Sequence, residues 1–132
     1  MDMRILRSNG DGTTSVLSEI PTTQPDRGWI WVDIVANAGE SGALAELTQE
    51  LRPDALAVRD AVEDTDLAKV DDFGHHLLVV LHGLQKARVE TYELDCFLTD
   101  AHLVTVHLEP SPTVDALWNQ VQASSQLASV PV

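Results

Sequence analysis

Trp29-Ile30-Trp31-Val32-Asp33-Ile34-Val35 decides the fold class. Successive side chains of a strand point to opposite faces, and this run carries apolar residues at both parities: Ile30, Val32 and Ile34 on one, Trp29, Trp31 and Val35 on the other. A strand built from it must therefore be covered on both sides, and helices are expected on both faces of the sheet that contains it. Asp33, near the C-terminal end of the run, is its one charged residue.

Upstream, Arg4–Leu6 and Ser15–Leu17 flank Asn9-Gly10-Asp11-Gly12, a turn-rich stretch that favours positive φ and predicts a short hairpin or edge ribbon. Thr22 to Gly28, with Pro21 and Pro25, is a loop. Downstream, Ser41 can cap a helix whose Leu44, Leu47 and Leu51 recur at three and four residues. Pro53, at the start of Leu56, Ala57, Ala61 and Val62, opens a second short helix ending near Glu63–Thr65. Val70 to Phe73 is a short extended piece, and His76 to Leu84, with its unbroken Leu77-Leu78-Val79-Val80-Leu81, reads as a central strand buried on both faces. Thr91 to Leu98 alternates Tyr92, Leu94, Cys96 and Leu98 with Glu93 and Asp95, so one face is wet or covered by something polar. A reversal at Thr99-Asp100 leads into His102 to Leu108, completing an antiparallel meander. Ser111 or Thr113 then caps a helix with Val114, Leu117, Trp118 and Val121 on one stripe and a fraying end from Ser124 to Ser129. The sum is an α/β (α+β) domain: a mixed, largely antiparallel sheet flanked by helices on both faces.

The 132 residues suit a single domain over 1–132, with 44% hydrophobic and 22% charged residues, a composition unlike that of a disordered chain. A net charge of −13 repels phosphate backbones, which makes nucleic acid a poor partner, and it concentrates cations instead. One cysteine, Cys96, can make neither an internal disulfide nor a cysteine zinc knuckle, so the cytoplasm is the expected compartment. Met1–Gly10 lacks the apolar segment of a signal peptide, and Leu77–Leu81, the longest apolar run, is far short of the roughly 20 residues of a membrane helix. The chain itself is expected to be soluble.

No catalytic constellation assembles. His102 and His107 point to opposite faces of a strand, and His76 and His82 sit about 20 Å apart along one, so neither pair chelates a single ion. The histidines read as structural or surface residues. Cys96 reads as a small buried hydrophobe, and the chain has no nucleophile elbow, Walker loop or dinucleotide-binding glycine motif. An enzyme is not expected. Acid remains: between Glu40 and Asp72 ten carboxylates face only Arg52, Arg59 and Lys69. Asp60, Glu63 and Asp64, at i, i+3 and i+4, share one helical face. That face is either simply solvated or answered by a cation. Oxygen-only ligands select hard ions such as Mg²⁺ or Ca²⁺, and no calcium-loop motif is present.

Taken in order, Trp29-Ile30-Trp31-Val32-Asp33-Ile34, Ala55-Leu56-Ala57-Val58-Arg59-Asp60-Ala61-Val62, Ala68-Lys69-Val70-Asp71-Asp72-Phe73-Gly74-His75-His76-Leu77-Leu78-Val79-Val80-Leu81, Phe97-Leu98 and Val104-Thr105-Val106-His107 resemble the cytoplasmic N-terminal domain of CorA-type magnesium transporters over about Trp29 to Trp118. The resemblance implies an α/β/α domain on the cytoplasmic side of the membrane, joined in the parent protein to a stalk helix and two C-terminal membrane helices whose Gly-Met-Asn loop guards the pore of a homopentamer. Those membrane segments are absent from this chain. It also implies that magnesium bound between neighbouring domains holds the channel shut, with Asp60 supplying one ligand and Asp64 and Glu63 beside it. Two positions depart from the family pattern: Arg59 stands where a Glu is usual, and Ala68 where a Pro is usual. The partner carboxylate would come from a part of the neighbouring subunit that this chain lacks, so the isolated domain is expected to bind magnesium weakly and to be a monomer or dimer. Cobalt or zinc are alternative cargoes, since selectivity resides largely in the pore. The competing reading is a stand-alone acidic module that binds a basic protein.

Overall fold

The computed structural model of the chain describes residues 2–21, 26–37, 69–74, 76–84 and 91–124. Their regular elements are β1 (Asp2–Ser8), β2 (Thr14–Leu17), β3 (Ile30–Val35), β4 (Lys69–Asp72), β5 (Leu77–Leu84), β6 (Thr91–Leu98), β7 (His102–His107) and helix α1 (Pro112–Ala123). The strands form one seven-stranded sheet in the order β2-β1-β3-β7-β6-β5-β4. β3 and β7 run parallel and every other neighbouring pair is antiparallel. β7 alone joins the three-stranded half β2-β1-β3 to the half β6-β5-β4.

The expected hairpin is β1–β2. Gly10 and Gly12 take positive φ in its loop, Asn9 N–H donates to the Thr13 carbonyl, and the Asp11 carboxylate accepts from the Thr13 amide and hydroxyl. Gly28 is required for a different reason. Its φ is +78°, and a Cβ there would stand 2.1 Å from the Ser8 carbonyl oxygen, because the chain entering β3 hugs β1 closely enough for Ser8 N–H to donate to the Trp29 carbonyl.

β3 is covered on both sides, as its sequence demands. On one face Ile30, Val32 and Ile34 pack with Ile5, Leu78, Val80, Phe97, Val104 and Val106. On the other, Trp29 and Trp31 pack with Leu6 and with Val114, Trp118 and Val121 of α1. Each such aliphatic side chain contributes about 1.5–3 kcal/mol when fully buried. Ser111 is the N-cap of α1, its hydroxyl accepting from Val114 N–H at 3.2 Å, and Pro112 occupies the first turn, where its missing N–H costs nothing. Leu117, expected on the buried stripe, is 44% exposed.

One expectation changes. β5 is not the central strand: it lies next to the β4 edge, and β3 and β7 hold the middle of the sheet. Leu77 and Leu81 of β5 are 39% and 47% exposed, so β5 is packed fully on one face only, where Leu78 and Val80 are buried. Of the two alternatives for the charged face of β6, wet or covered, the structure has the second, since Glu93 and Asp95 are both buried. Finally, the described residues contain one helix, packed on one face of the sheet; the two helices expected around 41–51 and 53–65 lie outside the described residues. No helix among the described residues is long and apolar enough to cross a membrane.

Candidate functional site

Asp33 would be costly to bury unpaired, and the sheet register supplies its partners. It lies opposite Arg4 of β1 and opposite Thr105 of β7, while His107 is two residues further along β7. Arg4 Nε donates to Asp33 Oδ2 at 2.9 Å. Oδ1 accepts from the Thr105 hydroxyl at 2.6 Å and stands 2.9 Å from His107 Nε2. Trp31 Nε1 donates to the Thr105 oxygen at 3.0 Å, which commits the Thr105 proton to Asp33. The carboxylate is 2% exposed and both of its oxygens are engaged.

The cluster reaches helix α1 through Arg4. Its second guanidinium nitrogen donates to Asp115 in the first turn of the helix at 2.7 Å, and its central carbon lies 4.5 Å from the centroid of the Trp118 ring. Trp118 in turn meets Trp31 at 5.0 Å in a tilted arrangement. An arginine held between two carboxylates over an indole face combines charge-assisted hydrogen bonds with a cation–π contact. Beside this network a half-open cleft of about 200 Å³ is lined by residues that include Asp2, Arg4, Asp33, His107, Pro110 and Asp115.

Burial pushes the Asp33 carboxyl up, but hydrogen bonds from His107 and Thr105 and the charges of His107 and Arg4 outweigh it and hold the group below its ordinary range. Burial pushes His107 down, yet its bonds to Asp33 and to the Glu109 carbonyl, with the Asp33 charge, raise it above its ordinary value against the opposing charge of Arg4. Each partner thus favours the charged form of the other. What the arrangement does chemically is fasten β1, β3, β7 and α1 at one point.

The other chemically capable residues are distributed through the core. His76 stacks on Phe73 at 5.1 Å and tilts against Phe97 at 5.8 Å. His102 is buried beside the Thr99 hydroxyl, and burial lowers its pKa. The Cys96 thiol is pushed up to about 12 by burial first and then by the charges of Asp95 and Asp33, so it is a buried, unreactive thiol as its strand position implies. Among the described residues no group of three or more His, Cys, Asp or Glu side chains is placed to hold a metal ion. Asp60, Glu63 and Asp64 lie outside the described residues. The Asp33–His107 pairing was not foreseen, although one signal for it is present: a carboxylate inside a two-faced apolar strand must find a buried donor.

Residues 26–131 match the family described as CorA-like Mg²⁺ transporter protein. The Bacillus subtilis (strain 168) protein YfjQ, named for metal ion transport, is 30% identical over 115 residues, covering 85% of this chain and 35% of its own length. Among solved structures, the full-length CmaX protein aligns with a TM-score of 0.74 and 21% identity over 95% of this chain and 39% of its own. The soluble domain of CorA from Methanocaldococcus jannaschii aligns with a TM-score of 0.72 and 15% identity over 92% of this chain and 46% of its own. The chain therefore spans about a third of the curated relative and under half of that soluble domain.

Proposed function

The chain belongs to the CorA-like Mg²⁺ transporter family, and from that premise we propose that it is the metal-responsive cytoplasmic domain of a divalent-cation transport protein. The family match over residues 26–131 carries this reading. It is supported by the fold shared with the M. jannaschii CorA soluble domain and by the carboxylates gathered between Glu40 and Asp72.

In the proposed mechanism, acidic surfaces of adjacent subunits repel, a hydrated divalent cation between them offsets the repulsion, and its loss shifts the assembly towards the open state. Asp60 is the principal ligand, with Glu63 and Asp64 three and four residues further along the sequence. Arg59 beside Asp60 weakens the local field, which favours one ion over two. Magnesium retains most of its water and needs only one or two carboxylates, so isolated copies of this chain should bind it no more tightly than about 1 mM, worth about 4 kcal/mol. The assembly is a homopentamer in the parent protein and a monomer or dimer for the chain alone. Magnesium, cobalt or zinc is the cargo.

The test is Asp60→Lys in the full-length transport protein. Magnesium-dependent closure should be relieved, so that conductance persists at magnesium concentrations that shut the unaltered protein; unchanged gating removes Asp60 from the site. The second reading, an acidic module that captures a basic protein, rests on the net charge of −13. An immunoblot of fractionated source cells separates the two: a membrane-bound band well above 14.4 kDa favours the transporter domain, and a soluble band of that mass favours the module.

A further inference from the structure

His107 ends β7 with acceptors at both ring nitrogens. Nε2 faces Asp33 Oδ1 at 2.9 Å and Nδ1 faces the main-chain carbonyl of Glu109, in the turn that leads to α1. Neither oxygen brings a proton to the ring. A carbonyl never carries one, and the Asp33 carboxylate already accepts from Thr105 and Arg4, with the Thr105 proton directed to it by the Trp31 indole. Only the doubly protonated imidazolium satisfies both contacts at once.

We infer that His107 is a proton-operated latch: with both ring nitrogens protonated it fastens the β7–α1 turn to the sheet, and loss of one proton frees that turn and opens the cleft beside it. Which proton leaves follows from the partners. A bond to a carboxylate is charge-assisted and about twice as strong as one to a neutral carbonyl, so Nε2–H stays with Asp33 and Nδ1 loses its proton. A bare Nδ1 lone pair then faces the Glu109 carbonyl oxygen, and the two repel. The turn moves, because Asp33 and Nε2 are held inside the sheet.

The charged groups around the ring set the balance from each packed element. Asp33 on β3 favours the imidazolium. Arg4 on β1 opposes it and is itself offset by Asp115 on α1, while Asp2 on β1 lies in the same cleft lining and Glu109 belongs to the turn itself. The latch concerns the anchorage of α1 and is independent of the metal reading, since none of its members is among Asp60, Glu63 and Asp64.

The test is a pH titration of the ¹⁵N-labelled 132-residue chain by NMR, reading the His107 ring nitrogens directly and the amide exchange of Glu109 and Ser111. The latch predicts two protonated ring nitrogens at pH 6.5, a midpoint above the ordinary 6.5, the Nε2–H tautomer beyond it, and a loss of protection of about tenfold or more at Glu109 and Ser111 over the same pH range, after correction for intrinsic exchange. Val104–Val106 amides serve as the internal control and should hold. A midpoint below 6.5, an Nδ1–H tautomer, or turn protection that ignores the titration would overturn it. His107→Gln should abolish the pH-dependent step at the turn; the same step persisting in that variant would also overturn the latch. The titration of the unaltered chain decides the matter should the variant fail to fold.

Discussion

Asp33 gathers contacts from β1 and β7 on one buried side chain. Its removal leaves the Arg4, Thr105 and His107 donors without their acceptor, and breaking a buried ion pair from one side costs about 3–5 kcal/mol. Asp33→Ala should therefore lose about that much in urea unfolding, and a loss under about 1 kcal/mol would show that the neighbours re-pair. The pair also sets the pH profile. His107 is raised in the folded state, so its contribution is fully present below 6.5 and lost as pH rises through the raised value. Asp33 is lowered, so its contribution is present above 3.8 and lost as pH falls through the lowered value. Thermal unfolding from pH 3 to 9 should show a maximum between the two flanks, with the alkaline flank missing in His107→Gln. At this scale the sequence was half legible. An aspartate among seven residues otherwise apolar announces a buried partner, but nothing local to residues 29–35 indicates that the partner is His107.

At the scale of elements, local chemistry was read where it is local. The Asn9–Gly12 loop makes its hairpin, the two-parity run makes β3, the meander follows β5, β6 and β7, and Ser111 with Pro112 starts α1. The misplaced element is β5. Leu77–Leu81 is the most continuous apolar run in the chain, but hydrophobicity states only that a strand gains from cover; its rank in a sheet is set by pairing with distant strands. Gly28 marks another such meeting. Gly28→Ala places a methyl within 2.1 Å of the Ser8 carbonyl at a φ of +78°, so β1 and β3 must part locally. Thermal unfolding should drop by about 5 °C or more, since roughly 2–4 °C accompanies each kcal/mol in chains somewhat larger than this one. An unchanged melting point would mean that the ribbon shifts without loss.

For the whole molecule, charge is the governing quantity. A net charge of −13 opposes compaction, and this self-repulsion is screened once the Debye length falls to about 10 Å at 0.1 M salt. The melting temperature should rise by a few degrees between 10 and 200 mM sodium chloride. Magnesium chloride at matched ionic strength should add to that rise if the carboxylates between Glu40 and Asp72 gather cations, and equal curves would assign the effect to screening alone. The mixed, mostly antiparallel sheet was legible at this scale because alternation and turn chemistry repeat along the chain. The parallel meeting of β3 with β7 was not, because it is a contact between residues 72 apart, Asp33 and Thr105 among them.

That meeting also governs how the chain comes into being. β7 is the piece that unites the two half-sheets, and among the described residues it is the last strand to be made. At about 5–20 residues per second of synthesis, β3 waits roughly 4–14 s for it. Through that interval the nascent chain carries a strand apolar on both sides with one edge open, at a stage when contacts of such long range have yet to form. A chain halted before β7 is complete lacks the strand that joins β2-β1-β3 to β6-β5-β4, so the single sheet closes only once that strand has emerged.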